Sequence, residues 1–398
     1  MQTKKICLAS LSHFFCDLNT GALPALIPFL ISAYGWSYSL VSALMLANSS
    51  LASVIQPMFG LLSDRKPRMW FMPLGILIAG LGMGCVGFLE SYTAVFLAVG
   101  VSGIGAALFH PSGMRFTTLH AGDRQSTATS LFSIGGNTGF LFAPLLIAAL
   151  MDLTGFQGLG LLCLVAVVMS AWIFFEARAV QPVRNIVAKA AQPSACSSEY
   201  MAPAGALPAN NWKAFVRLTG AIVCRSVLMI CLRVFVPLYW IARFAQSEAQ
   251  AAFVLTVFGL SGIVGNILGG MLADRYGLLP VIRVSYALVV PLSFLLPVLD
   301  NFVLINIVLI ATGLMLYASF SPVVVLGQRY LARNIGLASG ITLGLGISAG
   351  GLFAPILGWI ADTAGLVAVF YTLGSLAALG FVFSCLLIPV PVSIRPKH

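Results

Sequence analysis

Twelve long apolar runs fill this chain, and their length restricts what it can fold into. They lie at roughly 6–31, 39–62, 70–89, 93–119, 126–150, 157–178, 214–242, 248–273, 280–299, 302–330, 335–361 and 366–389. A hydrocarbon core about 30 Å thick is crossed by about 20 apolar residues in a helix. Inside it every backbone N–H and C=O must be satisfied without water, which leaves helices and closed barrels as the only spanning structures. Runs of this length select helices. Hydrophobic residues make up 60% of the 398 positions and charged residues only 8%, against roughly a quarter charged in a soluble domain. The expectation is an all-α membrane protein with twelve transmembrane helices, and the lipid bilayer is its first partner.

The runs fall into six and six. Residues 179–213 between them hold Pro182, Pro193, Pro203 and Pro208 with Ser, Ala and scattered charges, the composition of a linker. On either side of it the sequence repeats at an offset near 210. Gly60-Leu-Leu-Ser-Asp64-Arg65 returns as Gly270-Met-Leu-Ala-Asp274-Arg275, Phe109-x-Pro111 as Phe320-x-Pro322, and Gly139-Phe-Leu-Phe-Ala-Pro144 as Gly350-Gly-Leu-Phe-Ala-Pro355. Three matches at one offset predict two pseudo-symmetric six-helix bundles, residues 1–178 and 214–389, followed by a short tail at 390–398. In membrane proteins built from such repeats, ligands bind near the midplane where the repeats meet.

Net charge is +10, which by itself would admit nucleic acid. Its distribution excludes that partner. With the N-terminus taken as cytoplasmic, Arg225 and Arg233 fall inside a span and Arg243 outside, while the other 18 of 21 Lys and Arg sit at or near the inner face; Glu90, Asp152, Glu248, Asp300 and Asp362 fall on outer loops. This bias orients a multi-pass protein with both termini cytoplasmic. The eight cysteines include no CxxC pair, so neither a disulfide framework nor a zinc site is expected. No Walker loop, metal-ligand cluster or catalytic constellation is visible. The reading is of a protein that is not an enzyme, has no cofactor and no metal, and draws its energy from a gradient.

Five residues well inside the apolar runs are candidates to carry charge or a proton: Asp17, His13, His110, Arg225 and Arg233. Asp17 lies within the first run, where a charge near mid-membrane costs about 2.5–3.5 kcal/mol on insertion scales. His13 is four residues earlier and therefore on the same helix face. In the seventh run, Arg225 and Arg233 are eight residues apart, about 12 Å along the axis and about 80° around it. An arginine keeps its proton, so each needs a carboxylate, a carbonyl or an anionic substrate; one is expected to pair with Asp17 and the other to hold an anion. Pinning of bundle to bundle is the alternative. Any coupling proton then falls to Asp17, His13 or His110, the last of which precedes the helix-kinking Pro111. Asp17 and His13 are read as the proton-coupling pair. The substrate-binding cavity is read as His13, Asp17, His110, Arg225 and Arg233.

The loop Asp64-Arg65-Lys66-Pro67-Arg68 and its echo Asp274-Arg275 place an acid beside bases at helix ends, where ion pairing and the helix dipole can lock two ends together. With Arg115 they form an expected cytoplasmic gate. Glycines at 100, 103 and 105, at 135, 136 and 139, and at 344, 346, 350 and 351 have the small-residue spacing of close helix approaches.

The Gly-x-x-x-Asp-Arg loop in both halves of a six-plus-six plan resembles the major facilitator superfamily over essentially the whole chain. The stretches His13-Phe-Phe-Cys-Asp-Leu-Asn-Thr-Gly-Ala-Leu-Pro-Ala-Leu-Ile-Pro28, Gly105-Ala-Ala-Leu-Phe-His-Pro-Ser-Gly-Met-Arg115 and Ser133-Ile-Gly-Gly-Asn-Thr-Gly-Phe-Leu-Phe-Ala-Pro144 are similar to its fosmidomycin-resistance branch. The resemblance implies alternating access by rocking bundles and export driven by proton entry. The chain departs from many efflux members in having Ala143-Pro144 where they carry Gly-Pro, and in lacking their Arg-x-x-x-Gly pattern in the fourth helix.

The expected protein is thus a monomeric secondary transporter of the bacterial inner membrane, a proton antiporter that exports a small polar or anionic molecule such as a phosphonate antibiotic. Export of an endogenous metabolite such as a siderophore, and proton-coupled import of a small organic anion, are the alternative readings.

Overall fold

In a computed structural model, residues 2–49, 70–121, 125–178 and 209–390 are described. They form helices throughout: α1 (Thr3–Tyr34), α2 (38–49), α3 (Phe71–Cys85), α4 (Tyr92–Ala121), α5 (Gln125–Thr154), α6 (Gly160–Arg178), α7 (Trp212–Phe244), α8 (Glu248–Tyr276), α9 (Leu278–Leu295), α10 (Phe302–Ala318), α11 (Phe320–Tyr330), α12 (Ile335–Ala364) and α13 (Leu366–Cys385). Among the described residues nine helical stretches are long and apolar enough to cross a membrane. One of these, Leu131–Glu176, has 46 residues. At 1.5 Å per residue that is more than twice the hydrocarbon thickness, and a 3₁₀ turn at Gly155–Leu159 divides it into α5 and α6.

The tenth apolar run is likewise two helices. The α-helix stops at Ala318, and Ser319 closes it with a hydrogen bond from its Oγ to the Leu316 carbonyl. It resumes at Phe320, with Pro322 in the first turn, where a missing N–H removes no internal hydrogen bond. In the first half α4 passes Pro111 unbroken. The repeated Phe-x-Pro therefore interrupts only one of the two equivalent helices.

The chain divides into two compact units: Met1–Ala204 with Arg233–Thr256 and Gly351–Asp362, and Gly205–Leu232 with Val257–Gly350 and Thr363–His398. The first has a core of Leu8, Cys16, Ile76, Phe109, Phe116, Phe132, Met169 and Ile173. Its helices approach through glycines. Gly135 and Gly139 of α5 face the backbone carbonyls of Ser10 and Phe14 so closely that no Cβ fits, and Gly82 and Gly105 do the same between α3 and α4. These are the small-residue crossings the spacing predicts. At one end of the unit Tyr34 stacks on Trp36 and Trp36 meets Tyr92 edge-on, while the Tyr92 hydroxyl donates to the Leu40 carbonyl, the kind of aromatic cluster that sits at a membrane interface. The second unit packs Phe215, Leu218, Ile222, Ile282, Val323 and Leu326 around Tyr286 and Tyr330. Both phenols are buried with hydrogen bonds, to the carbonyls of Ala221 and Ile388.

Candidate functional site

The first unit encloses an ionisable cluster. Asp17 is buried on α1, and each of its oxygens is engaged by an imidazole: Oδ2 by His13 Nε2 at 3.1 Å and Oδ1 by His110 Nε2 at 3.0 Å. The i,i+4 spacing brings His13 to Asp17, and α4 delivers His110 from 93 residues away. His13 is fixed further by stacking on Phe132, with ring centroids 4.1 Å apart, and by contact with Phe109. Gly136 of α5 covers the cluster, where a Cβ would come within 2.5 Å of Asp17 Oδ2.

The other nitrogen of each ring faces a backbone carbonyl, His13 Nδ1 to Phe132 at 2.8 Å and His110 Nδ1 to Ala106 at 2.7 Å. A carbonyl can only accept, so both Nδ1 atoms carry hydrogen. Each imidazole is thereby held between two acceptors. Satisfying all four contacts takes four protons, whether Asp17 is ionised between two imidazolium rings or shares one proton with them. Either distribution gives the cluster a net charge of +1. Removing one proton leaves two lone pairs facing each other at one contact, which must then open. His110 is the freer partner, since 29% of its side chain is accessible against 11% for His13. The three side chains offer donors within 4.8 Å of one another, near enough to share a cation, and they also lie within hydrogen-bonding distance of each other.

Asp17 thus meets two histidines, where the sequence suggested an arginine. The arginines have other surroundings. Arg233 lies over the Phe140 ring at 5.0 Å in the first unit. Arg225, in the second unit, is 2% exposed, lies 5.0 Å from the Phe320 ring centre, and donates from one terminal nitrogen to the Met229 sulfur at 3.0 Å. Arg115 is half-buried one and a half turns beyond His110. Asp274 and Arg275 are exposed in the last turn of α8, with Arg275 against the Tyr276 ring. Asp64, Arg65 and Arg68, like the 179–208 part of the linker, lie outside the described residues.

Phe132 and the Ala106 carbonyl complete the cluster without any sequence signal, because a ring stack and a backbone acceptor leave no motif. Gly136 was visible only as one of a glycine pair. Phe320 could have been found from the repeat, which equates it with Phe109 beside His13.

Long apolar helices enclosing a buried, hydrogen-bonded acid and two imidazoles are the architecture of a multi-pass membrane protein with an ionisable interior. The family is shown by comparison: the model of the Major Facilitator Superfamily matches residues 9–355 and 218–398, and the chain belongs to that superfamily. It is similar to the uncharacterized MFS-type transporter YfnC of Bacillus subtilis, 29% identical over 98% of this chain and 94% of the relative. It is also similar to the fosmidomycin resistance protein of Escherichia coli, 27% identical over 93% and 89%, and to mouse monocarboxylate transporter 12, 26% identical over 88% and 77%. Among solved structures, a bacterial homologue of the lysosomal transporter Spinster in an inward-facing and occupied conformation matches with a TM-score of 0.82 at 12% identity, covering 97% of this chain and 96% of that one. The nucleoside transporter NupG matches with 0.75 at 15%, covering 96% and 100%. These two likenesses show the fold: the twelve-helix major facilitator architecture. The chain is a transporter and not an enzyme.

Proposed function

We propose that the protein is a proton-coupled exporter of a small polar or anionic organic molecule, with a phosphonate antibiotic as the first substrate to test. The bracketing of His13 and His110 between Asp17 and backbone carbonyls carries this reading. A cluster that holds one proton beyond neutrality, and must open a contact to release it, links proton loss to movement of α4 against α1. Substrate arriving from the cytoplasm would favour the opened form, and a proton entering from outside would restore the closed one. His13, Asp17 and His110 line the substrate cavity in this reading, with Arg233 at its edge. The two repeats, 1–178 and 214–389, act as the rocking bodies, and Asp64, Arg65, Arg68, Arg115, Asp274 and Arg275 form the cytoplasmic gate. The charge bias supports a bacterial inner-membrane location with both termini cytoplasmic; a monomer suffices for this cycle.

The similarity to the fosmidomycin resistance protein supports a phosphonate. The similarity to monocarboxylate transporter 12 favours a second reading, proton-coupled movement of a carboxylate, because a cavity fixes the coupling chemistry and not the sign of net flux. Export of an endogenous metabolite such as a siderophore needs the same chemistry. The deciding experiment measures fosmidomycin accumulation in cells expressing wild type or Asp17→Asn, with and without a protonophore. Lower accumulation in wild type alone, reversed by the protonophore, is expected. Equal accumulation in all cells removes the phosphonate, and unchanged protonophore-sensitive export by Asp17→Asn removes the coupling role.

A further inference from the structure

The second unit holds a cation without a counter-charge. The guanidinium of Arg225 is enclosed, its Nε has no hydrogen-bond partner among the described residues, and one terminal nitrogen reaches only a thioether sulfur. Sulfur of this kind is a weak acceptor, and the Phe320 ring offers only its quadrupole. The Tyr286 hydroxyl, also nearby, donates its hydrogen to the Ala221 carbonyl. The sequence explains the deficit. Of 11 acidic residues, only Asp274 and Asp300 fall in the segments that make this unit, and both are exposed beyond the helix interiors. No acidic side chain of the unit is placed to neutralise Arg225, whose polar neighbours include the Tyr286 and Tyr317 hydroxyls, and a buried charge without a counter-ion is among the most unfavourable groups a protein can hold.

The internal repeat says what is missing. At the offset of 211 that equates Phe320 with Phe109, Arg225 corresponds to Phe14, the neighbour of His13. The pair Arg225 and Phe320 therefore stands where Phe14 and Phe109 stand in the first half, one position along from His13. There the His13 ring beside Phe109 has Asp17 as its anion, four residues beyond His13 and three beyond Phe14. Three residues beyond Arg225 is Leu228, a buried apolar side chain. The position that holds a carboxylate in one repeat is empty of charge in the other.

We infer that the missing anion is the substrate's: Arg225 anchors the charged end of an organic monoanion, a carboxylate or a singly ionised phosphonate, whose apolar portion lies against Phe320. One guanidinium balances one negative charge, so a dianion would leave a surplus. The oxyanion bonds the free Nε and the terminal nitrogen on the same side, Nη2, the forked geometry in which arginine meets planar oxyanions, while Nη1 faces the Met229 sulfur. Met229 is the flexible member of the enclosure and can give way. This deepens the proposed export of an anionic compound and rests on that reading.

The test is binding to the purified full-length protein in detergent with no gradient present, by calorimetry and thermal shift, using phenylacetate, fosmidomycin and the neutral phenylacetamide. Wild type is expected to bind at least one anion at least tenfold more tightly than the amide. Arg225→Gln should lose that preference while its affinity for the amide stays within twofold. Arg225→Lys keeps the charge but not the fork, and should retain part of the preference; it serves if the Gln variant does not fold. Carboxylate and phosphonate are separated by which of the two anions binds. The inference is overturned if wild type prefers neither anion to the amide, if a folded Arg225 variant keeps wild-type anion affinity, or if anion and amide affinities fall together. Loss of coupling in Asp17→Asn with any of those results would leave proton-driven export standing and remove the anion anchor alone.

Discussion

Gly136 and Asp17 touch across the crossing of α5 and α1: a Cβ on Gly136 would lie 2.5 Å from Asp17 Oδ2 and 2.6 Å from His13 Nε2. Hydrogen is the only side chain that fits over the cluster. Gly136→Ala must either separate the helices or push the carboxylate off its histidines. Overpacking of this kind typically costs about 1–3 kcal/mol. The expected outcome is a protein that still inserts but melts at lower temperature and transports poorly. Wild-type melting and transport together would show that α5 does not clamp the cluster.

The two histidines should respond differently. His13 is stacked on Phe132, while His110 has the more accessible ring and is held by Asp17 and its own helix. Glutamine can still donate a hydrogen bond to Asp17 but cannot titrate. His110→Gln is therefore expected to uncouple transport with little effect on melting. His13→Gln should also lower stability, since aromatic stacking beyond simple burial contributes about 0.5–1.5 kcal/mol. A reversed pattern would move the mobile proton site to His13.

If the four-proton cluster is the resting form, substrate binding that favours its opened state must release a proton. The ionisable groups facing Asp17 are His13 on its own helix and His110 from α4, beside the Cys16 thiol; from α5 it meets Gly136. Affinity for the exported compound should therefore rise with pH as the extra proton leaves, and binding in weak buffer should acidify the medium. Asp17→Asn should flatten both responses. Binding that is independent of pH in the wild type would contradict the link.

How much of this was legible beforehand follows from what leaves a trace in sequence. Twelve spans and the repeat are patterns of composition and spacing, so they could be read directly. So could the shared face of His13 and Asp17, which is local geometry. That His110 closes on the same carboxylate depends on how α4 packs against α1, which no spacing encodes. The arginine expected at Asp17 was argued from charge and depth along the helices, and two imidazoles satisfy the same electrostatics. The break at Ser319 was hidden because Phe109-x-Pro111 and Phe320-x-Pro322 look alike, yet only the second follows a residue that ends its helix.

Asp362 was read only as an acid on an outer loop, and its geometry gives it a sharper part. Its two oxygens accept the backbone N–H groups of Tyr38 and Ser39, at 2.7 and 2.9 Å, at the start of α2. The carboxylate stands in the last turn of α12, where its own helix dipole disfavours a negative charge, and at the opening turn of α2, where the dipole favours one. It caps a helix more than 300 residues earlier in the chain. Gly358, one turn before it, allows the Ser39 backbone to approach to where a Cβ would meet Ser39 Cα at 2.7 Å. In a transporter that opens on this side, these contacts must part, so their strength biases the closed arrangement. Asp362→Ala removes both acceptors, and loss of a helix cap costs about 0.5–2 kcal/mol. In a Ser39→Cys background, Asp362→Ala is expected to speed labelling of intact cells by a membrane-impermeant maleimide several-fold. Asp362→Asn, itself a competent cap, should fall between the two. Identical labelling rates in all three would mean that the bond between α12 and α2 does not hold this side shut.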